Sequence, residues 1–134
     1  MSTPPIDLNW LAVIAAAISA FVLGGLWYGP LFKKAWCGEA GIDPALAAPH
    51  PARMFAVAFS CSLLSALIFA VLLGTEATAV DGLGVGFVVG LFFVAMSFGI
   101  TYAFAQRSLK LWMIDGGYHI VQFSLYGLIL GAWH

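Results

Sequence analysis

Charge is scarce in this sequence. Only 8% of its 134 residues are Asp, Glu, Lys or Arg, against roughly 25% in soluble domains. The formal net charge is −1, so there is no basic footprint for nucleic acid. Cysteine is nearly absent. Cys37 falls in a loop and Cys61 in an apolar run, two environments that make a disulfide an unpromising expectation, and no CxxC or Cys/His cluster suggests zinc or haem. Phosphate loops, nucleophile elbows and metal-ligand spacings are missing as well, so no cofactor is expected. No Lys or Arg precedes the first apolar run, and that run exceeds the 7–15 residues of a secretory apolar core, so a cleavable signal peptide is not expected.

Apolar residues fill the space that charge leaves. The chain is 63% hydrophobic with a mean hydropathy of +1.01. A water-soluble domain of this size could not hide so much apolar surface. The charges cluster, and between the clusters lie four uncharged runs: Leu8 to Phe32 (25 residues), Met54 to Thr75 (22), Gly82 to Gln106 (25) and Gly116 to His134 (19). A helix crosses the hydrocarbon core with ~20 mostly apolar residues. Lipid offers the backbone no hydrogen-bond partner, so each run should be a helix. Membrane β-strands alternate apolar and polar residues, and these runs do not. The expectation is one all-α domain, an integral membrane four-helix bundle with helices over about 9–29, 54–75, 82–106 and 111–133 and a loop over 33–53.

All five basic residues fall in the first and third connections: Lys33, Lys34 and Arg53 in one, Arg107 and Lys110 in the other. The positive-inside rule places those connections in the cytoplasm and both termini on the non-cytoplasmic side. The 33–53 loop holds Gly38, Gly41, Pro44, Pro49 and Pro51, which argues against a long helix there, and Pro51 suits the first turn of the second span. Two Lys-x-Trp triplets, Lys34-Ala35-Trp36 and Lys110-Leu111-Trp112, read as interfacial anchors at one depth.

Helices in lipid associate where small residues let backbones approach. The second run offers Ser62, Ala66, Ala70 and Gly74, and the third offers Gly82, Gly86 and Gly90. As hairpin neighbours these two stripes are expected to meet; the competing reading gives one stripe to a homodimer contact.

Chemistry points to the fourth run. Asp115, His119, Gln122 and Tyr126 share one helical face, a stripe of carboxylate, imidazole, amide and phenol. Ionisable groups in membrane helices face the bundle interior and are functional candidates, and Asp115 and His119 at i and i+4 can pair. The structural alternative makes Asp115 the N-cap of the fourth helix, neutralised by Lys34, Arg53, Arg107 or Lys110. Asp115 and His119 supply two metal ligands, and no second pair completes a site. At the end of the first run, Trp27 and Tyr28 precede Gly29-Pro30, where the missing N–H bends or ends the helix. They read either as interfacial belt or as the wall of an aromatic pocket opposite the stripe. Ser60, Ser62, Ser65, Ser97 and Thr101 are expected to bond a carbonyl one turn back, and His50 reads as a solvated loop residue.

Two segments resemble a known family. Asn9-Trp10-Leu11-Ala12-Val13 with Leu26-Trp27-Tyr28-Gly29-Pro30-Leu31-Phe32 and Lys34-Ala35-Trp36 resembles the opening signature of the bacterial family called domain of unknown function 1761. Leu109-Lys110-Leu111 with Ile114-Asp115-Gly116-Gly117-Tyr118-His119 resembles its second signature. The resemblance implies a small bacterial protein of about four spans, hence a multi-pass protein of the bacterial inner (plasma) membrane. It brings no activity, substrate or cofactor, and it makes the Trp27–Pro30 turn and the Asp115…His119 stripe shared family positions. Three function classes stay open. One is small-ligand or proton binding and transport through the stripe, in a homodimer. Another is an accessory or assembly subunit of a larger membrane complex. The last, an enzyme acting on a lipid or quinone, ranks lowest because no nucleophile is visible.

Overall fold

A computed structural model of the chain describes residues 8–46 and 49–134; Asp7 lies outside them. Every regular element among these residues is helical. The order is α1 (Trp10–Leu26), a π-helical turn (Trp27–Leu31), α2 (Lys33–Ala40), α3 (Pro51–Leu73), α4 (Ala79–Val88), a second π-helical stretch (Val89–Ala95), α5 (Met96–Phe104) and α6 (Leu109–Ala132). Three segments are long and apolar enough to cross a membrane: Trp10–Leu31, Pro51–Leu73 and Ala79–Phe104. They mark a membrane protein.

Local chemistry sets the ends. The Asn9 carboxamide accepts from the Ala12 amide at 3.2 Å and opens α1. Pro51 stands in the first turn of α3, where its missing N–H costs nothing. Thr78 and Asp81 form a reciprocal capping box on α4. Gly41 and Gly74 close α2 and α3 at φ +74° and +78°, a left-handed backbone that side chains resist. Ser108 caps α6, accepting from the Leu111 amide at 3.1 Å.

That last cap overturns the reading of Asp115 as the helix N-cap. Asp115 lies six residues into α6, about 9 Å along its axis. Ser108 won because a hydroxyl directly before the apolar pattern is the ordinary start signal.

The least apolar of the long helices is the most enclosed. α6 carries Asp115, His119 and Gln122, and its buried residues run from Leu111 to Gly131, whereas α5 buries none. α1 packs Ala12, Val13, Ala16, Ala17 and Ala20 into the core with Ala66 and Phe69 of α3 and Tyr126 and Leu130 of α6.

The small-residue stripes do not pair as expected. Gly82, Gly86 and Gly90 face α6, not α3. Gly82 lies opposite Gly127, Gly86 opposite Phe123, and Gly90 opposite Ile120, a regular antiparallel register of backbone against backbone. A Cβ on Gly82 would be driven into the Gly127 carbonyl, and one on Gly90 would stand 2.7 Å from the Ile120 Cα. Ser62 and Ala66 of α3 turn to α1 and α6 instead. Chain adjacency lost to shape, because the α6 backbone, with Gly127 opposite Gly82, comes close enough to fill the face these glycines leave open. The buried positions of the third span run 82, 86, 90, then 95. The five-residue step is what the π-helical stretch accommodates, keeping Ala95 on the α6 side.

Candidate functional site

The site begins at the break in the first span. Gly29 has φ −100° and ψ −106°, outside the helical range, and Pro30 has no N–H to give. The chain turns there, and Trp27, Tyr28 and then Trp36 of α2 swing towards α6. The Trp27 indole donates to the Ile114 carbonyl at 2.9 Å. Gly117 makes room for that ring, since a Cβ there would stand 3.0 Å from it.

Asp115 sits at the centre and is 9% exposed. Its Oδ1 accepts from the Tyr28 hydroxyl at 2.7 Å and from the Trp36 indole at 3.0 Å. Its Oδ2 accepts from the Tyr102 hydroxyl at 2.5 Å. The carboxylate thus ties the π-helical turn, α2, α5 and α6 together. Among the described residues its hydrogen bonds come from neutral donors only. Lys34, Arg53, Arg107 and Lys110, expected to neutralise it, do not bond to it; Arg107 donates to the Ala40 carbonyl at 3.1 Å. Three donors match an acceptor-only carboxylate with about four lone-pair sites, and one site on Oδ2 is left over.

Aromatic rings close the surroundings. Tyr28 meets Trp36 edge-on at 5.2 Å between centroids and lies 5.4 Å from Tyr118. Tyr118 spends its hydroxyl on the Ala20 carbonyl at 2.9 Å. Trp112, on the other flank of α6, donates to the Ala95 carbonyl at 2.8 Å, with Gly99 giving its ring space. Both Lys-x-Trp tryptophans therefore turn towards protein acceptors, with their N–H groups bonded. A buried indole N–H needs an acceptor, and the Asp115 and Ala95 oxygens are the ones in reach.

His119 does not bond Asp115. Its Nδ1 lies 2.6 Å from Gln122 Oε1, and its ring stacks on Phe98 with centroids 4.9 Å apart. Gln122 Nε2 donates to the Tyr126 hydroxyl at 2.8 Å, which leaves Oε1 to accept the His119 proton. The Tyr126 and Ser62 hydroxyls lie 2.5 Å apart, and Ser62 donates on to the Ala17 carbonyl at 3.2 Å. The Tyr126 hydroxyl also reaches the Ser62 carbonyl at 3.2 Å, so the network links the imidazole to backbone carbonyls on α1 and α3. The stripe read from the sequence is thus two separate devices. Asp115, Trp27 and Tyr28 form an aromatic cage. His119, Gln122 and Tyr126 form a chain that ends on protein.

Sequence reasoning missed Trp36, Tyr102, Phe98 and Ser62. Trp36 carried a signal, an aromatic N–H a short turn beyond Tyr28. Ser62 reaches across to α1, contrary to the expected bond one turn back, while Ser97 makes that local bond, to Phe93. Among the described residues no three His, Cys, Asp or Glu side chains gather as a metal site.

Both segments that carry the cage, the turn at Trp27–Pro30 and Ile114–His119, lie inside one continuous match. It covers residues 11–131 and is to the family described as protein of unknown function (DUF1761). The chain belongs to that family. No curated protein and no solved structure matches it. Within this DUF1761 chain, the turn at Trp27–Pro30 brings Tyr28 to Asp115 and Trp27 to the Ile114 carbonyl beside it.

Proposed function

We propose that this DUF1761 protein is a four-span protein of the bacterial inner membrane in which Asp115 binds and releases a proton or a small cationic ligand. One observation carries the reading: an enclosed carboxylate is held by three neutral donors and no cation. A carboxylate kept for structure alone inside a bundle is usually ion-paired. Here the cage leaves the charge available, and its aromatic walls suit a cation. α6, at 24 residues, is about 36 Å long and can serve as the fourth span. Its Ser108 end lies beside the basic connections and its His134 end bonds Ala77 of the opposite hairpin, which supports a cytoplasmic basic end and outer termini.

The His119–Ser62 chain is not a conduit across the bilayer. It passes through an amide and ends on the Ala17 carbonyl, neither of which relays a proton readily. Its work is to fix α3 and α1 against α6. The accessory-subunit alternative gains nothing from Gln122 and Tyr126, because the chain spends both on itself. Partners, a second copy included, would meet mostly apolar faces such as Phe87, Phe92 and Phe93.

The test uses the full-length protein in liposomes with an entrapped pH-sensitive dye and a panel of small organic amines added outside. Amine-dependent proton flux is expected from the parent and none from Asp115→Asn, with both proteins folded. Equal flux from both would sink the assignment to Asp115.

A further inference from the structure

Beside the cage, on the far side of the Gly29–Pro30 turn, lies a groove of about 950 Å³. Three lysines line it: Lys33 and Lys34 from α2 and Lys110 from α6. One carboxylate, Glu39, stands among them, so the lining carries a net charge of +2. The lysines are exposed. The first turn of α2 opens onto the same space, and its N-cap Phe32 supplies no side-chain acceptor for the leading amides. The rest of the wall is apolar, with Pro30, Leu31 and Ile42. The groove sits where the first span ends and α6 begins, at the level where a bilayer's headgroups would lie.

We propose that this groove binds the phosphate-bearing headgroup of an anionic phospholipid. Three lysines and the first turn of α2 line one volume, which is the chemistry of a phosphate receptor. A soluble phosphate would satisfy the cations and leave the apolar wall bare. A lipid satisfies both, with its headgroup against the lysines and its glycerol and upper acyl carbons against Pro30, Leu31 and Ile42. The volume suits a headgroup of that size. α2 forms one side of the groove and also carries Trp36 to Asp115, so the bound lipid braces the segment that closes the cage. The site itself stands independently of what Asp115 does.

The test is lipid binding by native mass spectrometry on the full-length protein in mild detergent, titrated with phosphatidylglycerol, phosphatidylcholine or sodium phosphate. Phosphatidylglycerol is expected to bind at least tenfold more tightly than phosphatidylcholine. Each of Lys33→Gln, Lys34→Gln and Lys110→Gln should weaken it about fivefold, and the triple variant by about a hundredfold. Arg53→Gln, a basic residue outside the groove, should change binding by less than about twofold. Helix content and thermal midpoint in phosphatidylcholine verify that each variant is folded, and the single variants carry the test if the triple one is not. Equal binding of the two lipids overturns the proposal. So does an Arg53→Gln loss as large as that of Lys110→Gln, which would make the effect one of overall charge. Displacement of the lipid by millimolar sodium phosphate would assign the groove to a soluble anion instead. Loss of proton flux in Asp115→Asn with lipid binding intact would leave the groove standing, and the reverse result would remove it alone.

Discussion

The two halves of α6 are held by different physics. From Leu111 to His119 the helix is gripped by long side chains: Trp27, Tyr28, Trp36 and Tyr102 all reach in and donate to it. From Gln122 to Gly131 it is pressed backbone to backbone on α4, with Tyr126 fully buried. Lipid gives neither half a hydrophobic reward for packing, since its tails are as apolar as leucine. The far half gains close dispersion contact and has no freedom to move without losing it. The near half gains hydrogen bonds that can be exchanged for others. Three of its partners stand on a broken helix and on an eight-residue helix, so side-chain hydrogen bonding and backbone packing are built into one helix.

The largest effect should come from breaking the anchor. Gly127→Val adds three carbons where the Gly82 backbone runs, and loss of the folded protein is expected, read as aggregation or loss of a monodisperse peak in detergent. Gly84, on the same helix as Gly82 but with nothing within 4 Å of a Cβ, is the matched control. Gly84→Ala should change the thermal midpoint little or raise it slightly, because only helix propensity is altered. Equal damage from both would mean that α4 does not face α6.

Next is the cage. Asp115→Ala strands three donors, and each unsatisfied group costs about 1–3 kcal/mol, so a clear fall in thermal midpoint is expected. Asp115→Asn keeps an acceptor for Tyr28 and Trp36 and should cost markedly less. If the two variants fall together, the hydrogen bonds at the cage are not what holds it.

A smaller loss, about 1–2 kcal/mol, is expected for Tyr126→Phe, which removes the hydroxyl between Gln122 and Ser62. The smallest belongs to Ser62→Ala, about 1 kcal/mol, since Ala17 keeps its helical hydrogen bond. The two changes share one network, so the double variant should lose less than the sum of the singles. Strict additivity would separate Ser62 from Tyr126.

The same division marks what the sequence disclosed. Spans follow from composition, because lipid enforces helices on uncharged runs; Pro51 signalled the start of α3, whereas Gly74, read as part of a packing stripe within the helix, ends it. Trp27, Tyr28 and Asp115 were legible as candidates because aromatic and acidic residues are conspicuous in apolar sequence. What could not be read was which faces meet. Gly82, Gly86 and Gly90 declare a face and stay silent about its partner, which the close approach of the α6 backbone decides. Helical period placed Asp115 and His119 on one side, yet the choice between pairing and parting depended on Tyr102 and Trp36, which arrive from α5 and α2. The capping role of Ser108 was present in the sequence, and Asp115 concealed it by offering a second acid cap nearby.

The central claim is that Asp115 exchanges its proton or cation within an otherwise neutral cage. Infrared difference spectroscopy of the protein in lipid, stepped across pH, tests it most directly. The account requires a protonated-carboxyl band that rises and falls reversibly with pH in the parent and is missing from Asp115→Asn, accompanied by shifts in tyrosine modes that vanish in Tyr28→Phe and Tyr102→Phe. A spectrum with no such band over the whole range in which the protein stays folded would contradict it and leave Asp115 as a fixed knot between helices.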